Sequence, residues 1–137
     1  MRDSGTRCAS LKPHFSPMHS YRRLDAWKQA HAALRLTLKA TDQAWHPRSS
    51  ALFDQLKRAV ISIEANIVEG YALGTPGLCR RHLRIAFGSA AEAECLALAA
   101  GEADYLKAGV VTTLEENLGG AMRALRLLLR NPPNSGA

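Results

Sequence analysis

Ser62, Asn66 and Glu69 recur at steps of four and three residues, a spacing that aligns them along one face of a helix. Ser and Asn suit a helix interior poorly because their side chains compete for backbone groups. That face must therefore give them partners. Cys79 precedes Arg80 and Arg81 near an expected helix start. Positive charge there would favour the thiolate, which makes Cys79 the best candidate nucleophile. An ordinary half-buried thiol explains the same three residues more simply. Glu69 and Glu92 are the carboxylates that remain for an enzyme, and no catalytic motif accompanies them.

Other chemistries fail on spacing. A di-metal bundle site needs Glu-x-x-His on two helices, and no Glu in this chain is followed by His at that interval. The histidines, His14, His19, His31, His46 and His82, include no i, i+4 pair to hold zinc from one helix. There is no GxSxG elbow and no GxxxxGK[ST] loop, and the GTPG segment is too short to cradle phosphate. The reading is a non-enzymatic protein with no cofactor and no metal.

Charge points elsewhere. Lys and Arg number 18 against 12 Asp and Glu, giving a net charge of +6 and a pI near 9.7, a field that attracts polyanions. The bases fall into groups: Arg22-Arg23, Lys57-Arg58, Arg80-Arg81 with Arg84, and Arg123, Arg126 and Arg130 on one helix face. Phosphate contacts from Lys57, Arg58, Arg80, Arg81, Arg84, Arg123 and Arg126 would bind structured RNA or DNA without sequence readout. The alternative is a protein-protein scaffold or adaptor with no nucleic-acid role. Tyr21, Trp27 and Trp45 are expected to pack in the core rather than stack on bases.

The elements that position these residues are helices. Ala and Leu dominate an apolar content of 47%, while aromatics reach only 6%; that bias favours helix. No alternation is long enough for a sheet. From Leu24 an apolar stripe steps through Trp27, His31, Leu34, Leu38 and Thr41, with His31 a satisfied core or boundary histidine rather than a ligand. It predicts a first helix to about Ala44, broken at Trp45-His46-Pro47. Ser49 or Ser50 caps a second, with Leu52, Leu56, Ala59 or Val60, Ile63 and Ile67 inward and a stop at Gly70. Tyr71 to Gly77 forms the connection.

Thr75 caps the third helix and Pro76 begins it. It is expected to reach Tyr105, with Leu78, His82, Leu83, Ala86, Ser89, Ala90, Ala93, Leu96 and Ala97 inward. Gly101 could end it early. The fourth helix carries Val110, Leu114, Leu118, Met122, Leu125 and Leu129 to a stop at Asn131-Pro132-Pro133.

The class is all-α: an antiparallel, up-down-up-down four-helix bundle over 21–130, with a flexible arm over 1–20 and a disordered tail over 131–137. Met18 would serve as a start, since organised sequence begins just after it. If the second and third helices form a hairpin near Gly74, facing numbers sum to about 148. Ser62 then meets Ala86 to Ser89, and Asn66 meets His82 and Leu83. Glu69 approaches Arg80 and Arg81, and Glu92 approaches Lys57 and Arg58.

A chain of 137 residues suits one domain, which buries about two-thirds of its unfolded surface. Cys8, Cys79 and Cys95 cannot all pair within one chain, and sixteen residues of helix would hold the last two about 24 Å apart. Reduced thiols are expected. With no signal-like apolar run and no membrane span, the expected location is cytoplasmic.

Two segments carry a family resemblance. QLKRAVISIEANIVEGYA (Gln55 to Ala72) resembles the QLRRAAVSIPANIAEG segment of the 23S ribosomal RNA intervening-sequence proteins, and HLRIAFGSAAEAECL (His82 to Leu96) is similar to their FLxIAxGSLxELE segment. The opening YRRLDAWKQAHAAL is similar to their first helix. Matching positions are Ser62, Asn66, Glu69, Gly70, Gly88, Ser89 and Glu92, read as structural. The resemblance implies a ring-like homopentamer of basic character. It also implies kinship with accessory proteins of diversity-generating retroelements, which bind nucleic acid and a reverse transcriptase. Ile63-Glu64 departs from the family's apolar-Pro pair, and Ala93 stands where Leu is common.

Overall fold

A computed structural model describes residues 20–130. The arm expected before Ser20, the start at Met18 and the tail from residue 131 lie outside them. The described residues form four α-helices, α1 (Asp25–Gln43), α2 (Ser50–Leu73), α3 (Pro76–Glu102) and α4 (Ala108–Arg130), with short 3-10 turns at Ser20–Arg23 and Pro47–Ser49. Each helix packs chiefly on two others, α1 on α2 and α4, and α3 on α2 and α4. The α2/α3 pair has the most extensive contact.

The face α1 buries differs from the expected one. Ala26, Ala30, Ala33, Thr37 and Ala40 are buried, with Leu24 just before them, whereas Trp27, His31 and Leu34 are half-buried and Leu38 is exposed. The larger apolar stripe lies about one residue, or roughly 100°, around the helix from the true contact line. Small residues win that line because α1 fits closely against its neighbours. Thr41 satisfies its hydroxyl on the Thr37 carbonyl at 2.7 Å. The Thr37 hydroxyl itself is buried without a partner among the described residues.

Helix ends also move. His46, not a serine alone, organises the start of α2: its ring accepts from the Arg48 amide, while Ser49 Oγ accepts from the His46 amide and donates to the His46 carbonyl. The capping box thus encloses the 3-10 turn. At its other end α2 runs through Gly70 to Leu73, and Gly74 takes the left-handed C-terminal position at φ 80°. Only Gly74 and Thr75 separate α2 from α3. Thr75 Oγ1 accepts from the Leu78 amide and Pro76 opens the helix, as expected.

Helix α3 stops at Glu102 rather than Tyr105. The Tyr105 amide donates back to Ala100 O at 2.8 Å across Asp104, whose φ is 62°. This is a left-handed C-terminal cap with Asp in the place usually held by Gly.

The core places large residues of α2 and α4, including Phe53, Leu56, Ile63, Ile67, Leu114, Leu118 and Leu125, against a seam of small ones on α3. Cys79, Ala86, Ala90, Ala93, Ala97 and Ala100 are all buried. Leu78, expected inward, is exposed, and Phe53, missed in the sequence stripe, is fully buried.

The glycine at 70 marks the tightest point of the hairpin. A Cβ there would lie 3.1 Å from His82 Cβ and 3.3 Å from the Cys79 carbonyl oxygen. Gly70→Ala is expected to lower unfolding free energy by about 1–3 kcal/mol, because a backbone atom must move; thermal denaturation followed by circular dichroism measures it. Thr37→Val should act oppositely, raising the melting temperature as an unpartnered hydroxyl worth about 1 kcal/mol or more is removed at nearly constant shape.

Candidate nucleic-acid interface and polar seam

Between α2 and α3 the polar residues form a connected chain. The Asn66 amide nitrogen donates to the Ser62 carbonyl at 2.8 Å and to Ser62 Oγ at 3.1 Å. Its Oδ1 is left to accept from His82 Nδ1 at 2.8 Å, which places the ring proton on that nitrogen. Ser62 Oγ meets Ser89 Oγ at 2.8 Å. The hairpin register therefore brings Ser62, Asn66, His82 and Ser89 together as the spacing requires.

The two acid–base levels expected beside that chain do not form. Glu69 reaches His82 Nδ1 at 3.6 Å rather than Arg80 or Arg81. Glu92 accepts from Gln55 Nε2 at 2.7 Å rather than from Lys57 or Arg58. Lys57 instead lies 3.7 Å from Asp54, one helical turn earlier. Lys57 thus takes a partner on its own face, while Glu69 and Glu92 still reach across to the neighbouring helix but meet an imidazole and an amide instead of the expected cations.

A second polar group ties α1 to α2. Glu64 accepts from Trp27 Nε1 at 3.0 Å and faces His31 Nδ1 at 3.0 and 3.1 Å. The Trp27 and His31 rings stack at 4.7 Å, and Tyr21 meets Trp27 edge-on at 5.7 Å. His31 is thus satisfied, and of the two expected placements, core or boundary, it takes the boundary.

The arginines of α3 and α4 converge on another face. Arg80, Arg84, Phe87, Gly88 and Leu129 line one cavity of about 390 Å³, and Met122, Arg123, Arg126, Leu127 and Arg130 line a second of about 330 Å³. The Arg126 guanidinium lies 5.4 Å from the centre of the Phe87 ring, joining the two. Arg80 Nη1 donates to the Leu129 carbonyl at 3.1 Å. Among the described residues, none of these five arginines makes an ion pair.

Of the seven bases singled out, Arg80, Arg84, Arg123 and Arg126 share this face. Arg81 is exposed on α3, while Lys57 and Arg58 belong to α2. Phe87 was missed; its spacing from Arg80 and Arg84 at one helix-face interval was the available signal. Gly88 was read as structural. An added Cβ would meet nothing within 4 Å there.

Two further expectations are corrected. Cys79 is buried and disulfide-bonded, so it carries no free thiol and no nucleophile; Cys95 is free and exposed. Trp45 does not enter the core but stands 57% exposed. Among the described residues, no group of three or more His, Cys, Asp or Glu could hold a metal ion. No described helix is long and apolar enough to cross a membrane.

Fold and site together define an all-helical, basic protein with an internal polar seam and an arginine-lined face. A family model, described as 23S rRNA-intervening sequence protein, matches residues 22–126, and the chain belongs to that family. No curated protein matches the chain.

The polar seam separates two kinds of motif residue. Asn66→Ala removes the acceptor of His82 Nδ1 and one of the two side-chain partners of Ser62 Oγ, and is expected to cost about 1–3 kcal/mol. Glu69→Ala removes a mostly exposed carboxylate and should cost under about 0.5 kcal/mol. Urea denaturation of both variants checks the contrast, and equal losses would contradict it.

Proposed function

We propose that this protein is a non-enzymatic, oligomeric bundle that binds structured RNA or DNA through phosphate contacts on the α3–α4 face. The observation that carries the reading is the cluster of arginines around Phe87, which have no carboxylate partners among the described residues. Guanidiniums in such a cluster repel one another until an anion joins them. Phosphate supplies it, and their planar forks match its oxygens. Gly88 leaves room for a backbone to approach the cleft. Arg81, Lys57 and Arg58 extend the positive surface over neighbouring faces.

In this reading the helices form an antiparallel, up-down-up-down bundle that assembles as a ring-like homopentamer in the cytoplasm. Repeating the arginine face around a ring multiplies phosphate contacts without any base-specific contact. A reverse transcriptase is a further partner consistent with the family resemblance.

A second reading is favoured by a separate observation. Leu38, Ile61, Leu78, Ile85, Leu98 and Leu127 are large apolar side chains exposed on the single chain. Such residues suit contacts between subunits or with another protein, so a scaffold or adaptor is the alternative.

The test is the salt dependence of binding to hairpin RNA and to duplex DNA, measured by fluorescence anisotropy. The logarithm of affinity should fall linearly with the logarithm of salt concentration. Arg84→Gln and Arg126→Gln should each reduce that slope by about 0.9 for every phosphate the variant no longer neutralises. Circular dichroism should show both variants folded. Absent or salt-insensitive binding sinks the nucleic-acid reading and leaves the scaffold.

A further inference from the structure

A third cleft lies at the other end of the bundle, roughly 25 Å along α3 from Arg84. It encloses about 560 Å³ between the α1–α2 and α3–α4 connections, and its lining includes Trp45, His46, Arg48, Asp104, Tyr105 and Lys107. We propose that this cleft binds a nucleoside 5′-phosphate, with the base against Trp45 and the phosphate held by Arg48 and Lys107. The inference is independent of the α3–α4 face.

Three features carry it. First, the Trp45 indole is 57% exposed at the cleft. A large flat apolar ring held at an open cavity offers a stacking surface, and every nucleobase presents a matching face.

Second, the two cations of the cleft have no ion-pair partner among the described residues, and Arg48 is held in place. The Arg48 guanidinium sits 5.7 Å from the centre of the Tyr105 ring, which Phe53 meets edge-on from the core at 6.3 Å. Its backbone is held by the His46 capping box. Neither Arg48 nor Lys107 makes an ion pair among the described residues.

Third, the cleft is chemically mixed in the way a nucleotide is. An inorganic anion needs cations alone, and an apolar ligand has no use for them. Stacking ring and cations occur together here. The His46 ring accepts at Nδ1, so Nε2 remains its outward group. Asp104 supplies a carboxylate acceptor for an exocyclic amino group.

The experiment titrates the full chain with each of the four common nucleoside 5′-monophosphates, reading heat by calorimetry and quenching of tryptophan emission. At least one should bind saturably below about 1 mM. Adenosine or inorganic phosphate alone should bind about tenfold more weakly than AMP if AMP is the ligand bound. Trp45→Leu and Arg48→Gln should each weaken binding about tenfold. Both residues are exposed, so unchanged circular dichroism will verify folding. No saturable binding by any of the four overturns the proposal, and so does a Trp45→Leu variant that titrates like the parent.

Displacement of the bound nucleotide by a short 5′-phosphorylated oligonucleotide, but not by its 5′-hydroxyl counterpart, would identify a strand end as the source; displacement by neither identifies the free nucleotide. Arg84→Gln and Arg126→Gln should leave mononucleotide affinity unchanged, which separates failure here from failure of the α3–α4 reading.

Discussion

The close approach of α2 and α3 is the constraint on which the rest of the molecule depends. Gly70 brings its backbone against Cys79 and His82, and the alanines at 86, 90, 93, 97 and 100 continue the small-residue line along α3. Only at that separation can the short side chains of Ser62 and Ser89 meet, and Asn66 reach His82. A wider seam would leave these groups in a half-buried space without partners, at about 1–3 kcal/mol each. Packing and polar satisfaction are therefore one requirement. The small residues bury little area themselves, but they admit the larger side chains of α2 and α4 to a common core.

The helices were legible because apolar spacing and breakers agreed: Thr75 and Pro76 open α3, and the hairpin register placed Asn66 opposite His82. Faces were less legible. On α1, the line of Trp27, His31, Leu34 and Leu38 is more hydrophobic in bulk, but bulk is what a close helix contact excludes, so the alanine line is buried instead. Gly70 looked like the helix stop and Gly74 like part of the connection, because chain spacing cannot distinguish a glycine chosen for space from one chosen for a positive φ. The arginines were visible individually. Their convergence required knowing that α3 and α4 share a contact, and the exposure of Trp45 depended on how two connections pack.

Glu64 shows what one local departure does to such a bundle. The resembling family segment carries proline there, which would remove a helical amide donor and offer no side-chain acceptor. In this chain the carboxylate engages both Trp27 and His31, so the aromatic strip of α1 is held by hydrogen bonds at its edge. The half-exposed strip thereby gains a fixed geometry without being drawn into the core.

Charge along α3 and α4 is arranged with opposite polarity. On α3 the bases Arg80, Arg81 and Arg84 come first and the acids Glu92, Glu94 and Glu102 follow; on α4 Glu115 and Glu116 precede Arg123, Arg126 and Arg130. The contacts Arg80 with Leu129 and Phe87 with Arg126 set the basic segments side by side. For α4 that placement agrees with the helix dipole, which favours cations near the C-terminus. For α3 it opposes the dipole, since the first turns hold bases and the first turn no acid. Stability alone would reverse α3, placing its acids near the start and pairing them with the α4 arginines. Instead both helices concentrate positive charge, without ion pairs among the described residues, at one end of the bundle, an arrangement that costs stability in the isolated chain.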